Sequence, residues 1–390
     1  MKINKIILKN WKNFLFIEQP VGDRLFVVGA NASGKSNFLD VFRFLRDIVK
    51  QSGGLQPAVE QRGGVSKIRC LFARRAADVS IDIYFTEESD DNNSENSDWR
   101  YYLSFKHGGG GIVESYTEVI EEKVWNKKKG WLLERSGQNS DEDQETRKFT
   151  HLEQVTVNKK FRPIYECLQK INYLNIIPQL VREADSYILS VGKEDFYGRN
   201  LLDRVTKLNE STRKAYIKYI REILEIAVPQ LTDFDITKDD SGKTHFQVRC
   251  QHWRPKGAWQ QEDQFSDGTL RIIGFLWAML DGTGILLLEE PELYLHSSIV
   301  KQIAEFISIM QNKKDKVRQV FLTSHGYDLL DNQSIGLDEV FIISTAGEAS
   351  EIKRASEMPN IVRSVESGIS LAEACIGETT PLNINNLVMS

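Results

Sequence analysis

The stretch Gly29-Ala-Asn-Ala-Ser-Gly34-Lys35-Ser36 decides the fold of this chain, because it matches the pattern G-x-x-x-x-G-K-[ST] in full. It follows a short apolar run at residues 25–28 and precedes a segment whose apolar residues recur at helical spacing. A strand, a glycine-rich turn and a helix form the context in which this pattern makes a phosphate-binding loop. The sequence therefore predicts an α/β fold of the P-loop NTPase class, with a split nucleotide-binding domain.

The residue types in this loop suit a nucleoside triphosphate and Mg²⁺. Glycines let backbone N–H groups close around phosphate oxygens, and the helix N-terminus adds partial positive charge. Lys35 is expected to reach the β- and γ-phosphates, and the Ser36 hydroxyl to ligate Mg²⁺. We predict ATP and Mg²⁺ as cofactors, with nucleotide contacts from Gly29, Asn31, Ala32, Ser33, Gly34, Lys35, Ser36 and Asn37.

A second half of the site is predicted far downstream, at residues 285–291 (ILLLEEP). Four apolar residues would form a central strand that delivers Glu289 and Glu290 to its carboxyl end, where ligands bind in open α/β sheets. Glu289 is expected to hold the Mg²⁺ shell, and Glu290 to polarise the attacking water. His325 ends another apolar strand and is placed to hydrogen-bond the γ-phosphate, so the three are predicted catalytic or metal-binding residues.

Composition excludes several other classes of protein. The 390 residues carry 50 Lys and Arg against 55 Asp and Glu, a net charge of -5, and 41% are hydrophobic. These values are ordinary for globular proteins and do not indicate disorder, a fibre or bulk nucleic-acid binding. The four cysteines form no C-x-x-C pair, which argues against a disulfide framework or a zinc knuckle.

No targeting or membrane segment is expected. The N-terminal apolar run is too short for a signal-peptide core, and the longest apolar stretch, residues 272–280, is far below the roughly 18–20 residues that span a bilayer. The sequence predicts a soluble, cytoplasmic protein with no membrane partner.

The α/β motifs lie at both ends of the chain, which predicts one split domain around an insert. The predicted units are residues 1–85 with the P-loop, 86–255 as a mixed β and helical insert, 256–345 with the second half, and 346–390 as a tail. A helix capped by Ser211 or Thr212 is expected to run to residue 227, another helix over 297–310, and a final strand over 338–343. Residues 86–98 and 136–148 read as exposed loops, and Gly108-Gly-Gly-Gly111 as a hairpin tip.

The run Phe265-Ser-Asp-Gly-Thr269 precedes an apolar helix and leaves two interpretations open. Ser266 and the Gly268 backbone could form an anion site at the helix N-terminus. Ser266 or Asp267 could equally be an ordinary N-cap.

The order of these motifs resembles the ABC-type ATPases of the SMC/RecF branch. More narrowly, the chain is similar to the AAA-21 group of predicted ATPases, which is related to the OLD-family and Septu ATPases of bacterial phage defence. The opening Leu8-Lys-Asn-Trp-Lys-Asn-Phe14 and the run Asn37-Phe-Leu-Asp40 also match this branch. Three features depart from it, because the full LSGGQ signature is missing, Glu289 stands where Asp is usual, and Gln51, Gln56 and Gln61 are all candidates for the Q-loop.

The resemblance implies a homodimer with two ATP molecules between P-loop and signature. Ser266 and Gly268 would then contact the γ-phosphate held by the partner subunit's Lys35. Glu290 would be the catalytic carboxylate, His325 the switch histidine, and residues 292–296 would cross the dimer interface. Lys12 matches a basic residue that reaches the nucleotide phosphates.

Three functions are consistent with this resemblance. Nuclease members carry a C-terminal Toprim domain, and the 65 residues after His325 contain no D-x-D, so we expect an ATPase that controls a separate effector, a nuclease or toxin, in anti-phage defence. The alternative is a RecF-like DNA-binding ATPase, because Lys127-Lys-Lys129 lies between Trp125 and Trp131, and Lys313, Lys314, Lys316 and Arg318 form a second basic run. The third is an ATP-gated scaffold with slow turnover.

Overall fold

A computed structural model of the chain describes residues 1–74, 78–87, 97–110, 113–136, 143–182, 197–251, 258–312 and 318–379. The strands in these ranges are β1 (Lys2–Trp11), β2 (Phe14–Pro20), β3 (Arg24–Gly29), β4 (Val79–Thr86), β5 (Trp99–Gly110), β6 (Val113–Asn126), β7 (Gly130–Ser136), β8 (Asn172–Leu174), β9 (Leu231–Lys238), β10 (Thr244–Cys250), β11 (Ala258–Gln261), β12 (Leu286–Glu289), β13 (Val320–Ser324), β14 (Val340–Ala346) and β15 (Ala349–Arg354). The α-helices are α1 (Lys35–Val49), α2 (Leu55–Glu60), α3 (Val65–Ile68), α4 (Arg162–Gln169), α5 (Pro178–Arg182), α6 (Leu201–Lys207), α7 (Glu210–Ala227), α8 (Asp267–Leu280), α9 (Ser297–Val300), α10 (Ile303–Asn312), α11 (Pro359–Glu366) and α12 (Leu371–Thr379).

A six-stranded sheet in the order β15-β14-β3-β13-β12-β8 forms the centre of the fold. Its strands pair in parallel except β15, which is antiparallel at one edge. Along β3, Leu25 and Val27 belong to one hydrophobic cluster and Phe26 and Val28 to the other. This alternation shows that both faces of the sheet are covered, which is typical of parallel sheets in α/β proteins.

Helix α1 lies between the parallel sheet and a second, antiparallel sheet. The second sheet has the strand order β2-β1-β4-β5-β6-β7. One hydrophobic cluster joins α1 to residues of both sheets, such as Ile6 of β1 and Phe321 of β13. Because α1 is covered from two sides, Phe38 and Phe42, which face the parallel sheet, and Phe44, which faces the antiparallel sheet, are all fully buried.

The other face of the parallel sheet is covered by helices, with α8 at the centre of its hydrophobic cluster. A three-stranded antiparallel sheet, β11-β10-β9, joins the same cluster through Phe234 and Phe246, and α7 packs against β9. Within the described residues, no helix is both long enough and apolar enough to span a membrane.

Most of the predicted strands are confirmed, with bounds that differ by a few residues, and one detail is wrong in each of three other predictions. The cap of α7 is Asn209, whose side chain accepts the Thr212 N–H at 2.8 Å, and not Ser211 or Thr212. The helix predicted over 297–310 is broken, because the Gln302 N–H bonds the carbonyl only three residues back and tightens the turn. The strand predicted over 338–343 begins at Val340 and is not the last, since a turn at Gly347 leads into β15, α11 and α12.

Two strand pairings cross the predicted boundaries between the ATPase halves and the insert. Strands β4 and β5, on either side of residue 86, pair along their length. Strand β8, from the middle of the chain, joins the parallel sheet beside β12. The predicted domain bounds stay a prediction. Of the predicted loops and hairpin tip, residues 88–96, 137–142 and 111 lie outside the described residues, as do Lys313, Lys314 and Lys316 of the second basic run.

Candidate functional site

The P-loop connects β3 to α1 and has the backbone shape of an anion-binding loop. Ala32 and Gly34 have φ values of 62° and 112°, in the left-handed region. Such a backbone turns successive N–H groups toward one concave side, where an anion can bind. At Gly29 an added Cβ would lie 2.4 Å from the Ile343 carbonyl oxygen, so only glycine fits where β3 packs against β14.

Lys35 brings its charge into a nearly closed site, with 4% of the residue exposed. Its Nζ donates to the carbonyl oxygens of Gly29 at 2.8 Å and Ala30 at 2.9 Å, and lies 3.0 Å from His325 Nδ1. Burial lowers the pKa of Lys35 from its usual value, while three glutamates near the end of β12 act in the opposite direction.

The two acids of the downstream motif lie at the carboxyl end of β12, as the strand pattern predicts. Ser36 Oγ donates a hydrogen bond to Glu289 Oε1, and the Tyr173 hydroxyl donates to Glu289 Oε2. Glu290 follows with a φ of 44°, and its N–H donates to the Thr323 carbonyl at 3.0 Å. Its carboxylate contacts His325 Nε2.

His325 is therefore held between Lys35 and Glu290. A third acid, Glu292, fixes the backbone there by accepting from Ser324 Oγ at 2.7 Å and from the His325 N–H at 3.0 Å. Burial raises the pKa of Glu292. The sequence patterns did not single out Glu292 as a site residue, although its place two residues after Glu290 is a usable signal.

These contacts bring Lys35, Ser36, Glu289, Glu290 and His325 into a single pocket from three distant parts of the chain. The residues present fit a triphosphate and a divalent cation. The Ser33 hydroxyl is buried and has no hydrogen-bond partner within the described ranges, so it can donate to a phosphate oxygen. The Ser36 hydroxyl and a Glu289 oxygen, both ligands suited to Mg²⁺, are already in contact.

A cavity of about 630 Å³ adjoins the P-loop side of α1, and its wall includes Lys12, Asn13, Asn37, Arg43 and Arg62. Lys12 Nζ lies 2.6 Å from Asp40, which also forms a two-pronged pair with Arg62. The structure thus places Lys12 on the cavity wall and in an ion pair with Asp40. Its predicted contact with phosphate stays a prediction.

Asn13 fastens the P-loop to the rest of the fold, a role that no local sequence pattern indicated. Its Nδ2 donates to the Ser33 carbonyl and to Ser350 Oγ, both at 2.7 Å. Its Oδ1 accepts from Asn37 Nδ2 at 2.9 Å. An added Cβ at Gly34 would lie 2.0 Å from Asn13 Nδ2, so the glycine makes this close contact possible.

Residues 265–269, which stand where the family has its signature, lie at the start of α8. Ser266 is the N-cap, since its Oγ accepts the Thr269 N–H at 3.1 Å, so the ordinary-cap interpretation describes its contact within this chain. Gly268 approaches the segment after Glu290, because a Cβ there would lie 2.9 Å from the Tyr294 carbonyl oxygen. Arg271 of the same helix donates to the Glu290 carbonyl at 3.3 Å and stacks on the Tyr294 ring at 5.0 Å.

The three candidates for the Q-loop fall in different places. Gln56 bonds the backbone of Thr117 and Lys148, Gln61 lines the cavity, and Gln51 is exposed. A fourth glutamine, Gln179, lies in the segment after β8 and contacts Asp267 at 3.4 Å.

Comparison with known families matches residues 25–331 to the AAA_21 model, described as an AAA domain, putative AbiEii toxin, type IV toxin–antitoxin system. The chain belongs to the AAA_21 family. This match and the fold confirm the resemblance that the motifs indicated. No curated protein sequence matches this AAA_21 chain.

Two solved structures of SMC heads share the fold of this AAA_21 protein. One is the SmcHead bound to the C-terminal winged-helix domain of ScpA, with 14% identity, a TM-score of 0.54, and coverage of 90% of this chain and 98% of that one. The other is an Smc head domain with an extended coiled coil bound to the C-terminal domain of ScpA from Pyrococcus furiosus, with 12% identity, a TM-score of 0.52, and coverage of 94% and 99%. These likenesses confirm the P-loop NTPase fold of the SMC-head type.

Asn13→Ala should weaken nucleotide binding more than it weakens the fold. The variant loses the hydrogen bonds that hold Ser33 and Asn37, and hydrogen bonds of this kind each contribute about 1 kcal/mol. We expect nucleotide affinity to fall roughly tenfold, the equivalent of about 1.4 kcal/mol, when measured by calorimetric titration. Gln311→Ala is the matched control, because it also loses two amide bonds to backbone, to Asp23 and Arg318, at the opposite end of β3 from the P-loop. Equal affinity in the two variants would contradict the role given to Asn13.

Proposed function

We propose that this protein is a Mg²⁺-dependent ATPase whose dimer, closed by two ATP molecules, controls a separate effector. The observation that carries the ATPase assignment is the meeting of the P-loop lysine and serine with two glutamates and a histidine in one pocket. A chance glycine-rich turn has no reason to be completed by residues more than 250 positions away.

The chemistry follows from the placement of charges. The Nζ of Lys35 exchanges its two carbonyl acceptors for phosphate oxygens, and P-loop N–H groups bind the rest of the phosphate chain. Mg²⁺, when bound, is held by Ser36 and Glu289 and offsets charge on the phosphates. Glu290 orients the attacking water and accepts its proton, and catalysis of this kind relies mostly on positioning and electrostatic stabilisation.

His325 links the two halves of this pocket. Its two ring nitrogens face Lys35 and the Glu290 carboxylate. When Lys35 turns toward a phosphate, Nδ1 of the imidazole loses its donor. A proton taken up there from solvent lets Nδ1 donate a hydrogen bond to the γ-phosphate. His325 then responds to the presence of that phosphate while it still contacts the carboxylate that activates water.

Exposed side chains near the start of α8 and after Glu290 support dimerisation. Ser266 lies at the surface, and Leu293 and Tyr294, just after the catalytic acids, are 39% and 68% exposed. Large apolar side chains grouped at the rim of a polar site are typical of interaction surfaces. In the proposed dimer, Ser266 and Gly268 contact the γ-phosphate held by the partner subunit's Lys35.

Control of a separate effector is the part of the proposal that rests on the family. The AAA_21 description, which names a putative toxin of a type IV toxin–antitoxin system, supports the setting, and the resemblance of the motifs to phage-defence ATPases supports the division between ATPase and effector. We propose that the effector, a nuclease or toxin, is a different polypeptide. Mg²⁺-dependent DNA cleavage by this chain alone would contradict that division.

Lys35→Ala should abolish the reaction by removing the charge that binds phosphate. We expect the ATPase rate to fall by on the order of 10²–10³-fold, as when a preorganised donor to developing charge is removed. Phosphate release is the measurement. Lys214→Ala, which removes a lysine with 73% of its side chain exposed, is the control and should keep the wild-type rate. If both variants hydrolyse ATP normally, the proposed site is wrong.

Glu290→Gln should separate binding from turnover. The amide keeps the shape of the side chain but cannot accept the proton of water, so ATP should stay bound and the dimer should accumulate. Light scattering after size exclusion, with ATP and Mg²⁺, should report twice the monomer mass for this variant. A variant that stays monomeric while ATP is bound would disprove the ATP-closed dimer. A dimer that still engages its effector without turnover would favour the ATP-gated scaffold.

A second candidate function, DNA binding of the RecF kind, is favoured by the turn between β6 and β7. Lys127, Lys128 and Lys129 are adjacent and exposed there, and Trp131 is 46% exposed beside Arg100. Cations next to an aromatic ring suit a phosphate backbone with stacked bases.

Neutralising the three lysines of this turn tests that candidate. If the turn binds DNA, the triple change to Ala should reduce the salt slope of log K by up to about 0.9 for each DNA phosphate that the protein no longer neutralises. Fluorescence anisotropy at several salt concentrations measures the slope. The double variant Lys214→Ala and Lys218→Ala, on the surface of α7, is the control. Absence of DNA binding by the wild-type chain at low salt excludes the candidate.

A further inference from the structure

Tyr173 lies on the strand next to the one that carries the catalytic acids. Strand β8 pairs in parallel with β12, with Tyr173 opposite Leu287. Side chains two residues apart on a strand share a face, so Leu287 and Glu289 both point to the α1 side of the sheet. Tyr173 belongs to the same hydrophobic cluster as Leu287 and α1, so its ring lies on this side of the sheet. Its hydroxyl extends to Glu289.

The carboxylate of Glu289 is divided between two donors. Oε1 accepts from Ser36 and Oε2 accepts from Tyr173. The tyrosine is 7% exposed, so its hydroxyl is largely shielded from water. A carboxylate oxygen only accepts, so the phenol O–H is the donor in this contact.

The ring of Tyr173 is held by a cation from the helix that follows the P-loop. The Arg43 guanidinium stacks on the ring at 4.0 Å from its centre, within the range of a cation–π contact. Arg43 is seven residues after Ser36, and residues at this spacing lie on one side of a helix. One face of α1 thus presents Ser36 to Glu289 and Arg43 to the tyrosine that binds Glu289.

We propose that Tyr173 is a positioning residue that holds one carboxylate oxygen of Glu289 and leaves the other as the single oxygen available to the metal. This rests on the proposed function, in which Ser36 and Glu289 hold Mg²⁺. Glu289 has one more methylene than the aspartate usual at this place, hence one more rotatable bond. Tyr173 removes that added freedom by fixing the far oxygen.

The consequence is a preference among cations. Mg²⁺ is small, keeps several waters and is bound through single carboxylate oxygens, whereas Ca²⁺ readily takes both oxygens of one carboxylate. With Tyr173 in place, Glu289 offers one oxygen and suits Mg²⁺. Without the hydroxyl, the carboxylate is free to turn and present both oxygens, which favours Ca²⁺.

The test is Tyr173→Phe, which removes only the hydroxyl and keeps the ring under Arg43. Binding of a fluorescent ATP analogue is measured with EDTA, and then while Mg²⁺ or Ca²⁺ is titrated. We expect the metal-free affinity to be unchanged and the Mg²⁺ concentration for half-saturation to rise roughly tenfold to a hundredfold, the range for loss of one hydrogen bond to a charged group. The Ca²⁺ half-saturation should not rise, so the ratio of the two constants changes.

Tyr216→Phe is the control, because its hydroxyl also makes one hydrogen bond, to the Leu280 carbonyl at 2.7 Å, but on α7. It should leave both metal titrations as in the wild type. If Tyr173→Phe binds nucleotide with EDTA and its Mg²⁺ and Ca²⁺ curves match those of the wild type, the inference is overturned. If the wild-type chain binds no nucleotide under any condition, the proposed function itself has failed.

Discussion

The buried charge of Lys35 is the constraint on which the rest of the site depends. A cation that is nearly closed off from water is costly unless polar groups surround it. Lys35 is surrounded by two P-loop carbonyls, the imidazole of His325 and the carboxylates near the end of β12. In the proposed function the same groups receive a triphosphate and its cation, so the arrangement that accommodates the lysine would also prepare the nucleotide site.

The layered fold explains why the loop can hold this shape. Helix α1 is enclosed by the antiparallel sheet on one side and the parallel sheet on the other. The loop before it is fastened at Ser33, whose carbonyl accepts from both Asn13 and Ser350. The turn between β1 and β2 and the strand β15 therefore meet at the P-loop, and the proposed nucleotide site lies where the two sheets come together.

The features that could be predicted from the sequence are those formed by contiguous residues. The P-loop, the acids after residues 285–288 and the histidine after β13 are each local patterns, and parallel strands bring their carboxyl ends to one edge of a sheet. Contacts between distant side chains carry no such pattern. Nothing local marks Tyr173 as a partner of an acid 116 residues away, or Ser350 as a partner of Ser33. The cap of α7 was missed for another reason, since Asn209, Ser211 and Thr212 are all good capping residues and only the structure selects among them.

The short stretch from Tyr173 to Arg182 touches two places that serve different nucleotides in the proposed dimer. At its start, the tyrosine binds the acid beside the subunit's own P-loop. Midway, Ile176 packs against Gly274 of α8, and at its end Arg182 pairs with Asp267 at 2.5 Å, next to the signature serine. In that dimer, ten residues of continuous backbone would connect the tyrosine that binds the proposed metal ligand to the surface that the subunit offers to its neighbour's ATP. Because both contacts lie on one short segment, a shift at one end would bear on the other, which would give the two half-sites of the proposed dimer a structural reason to act together.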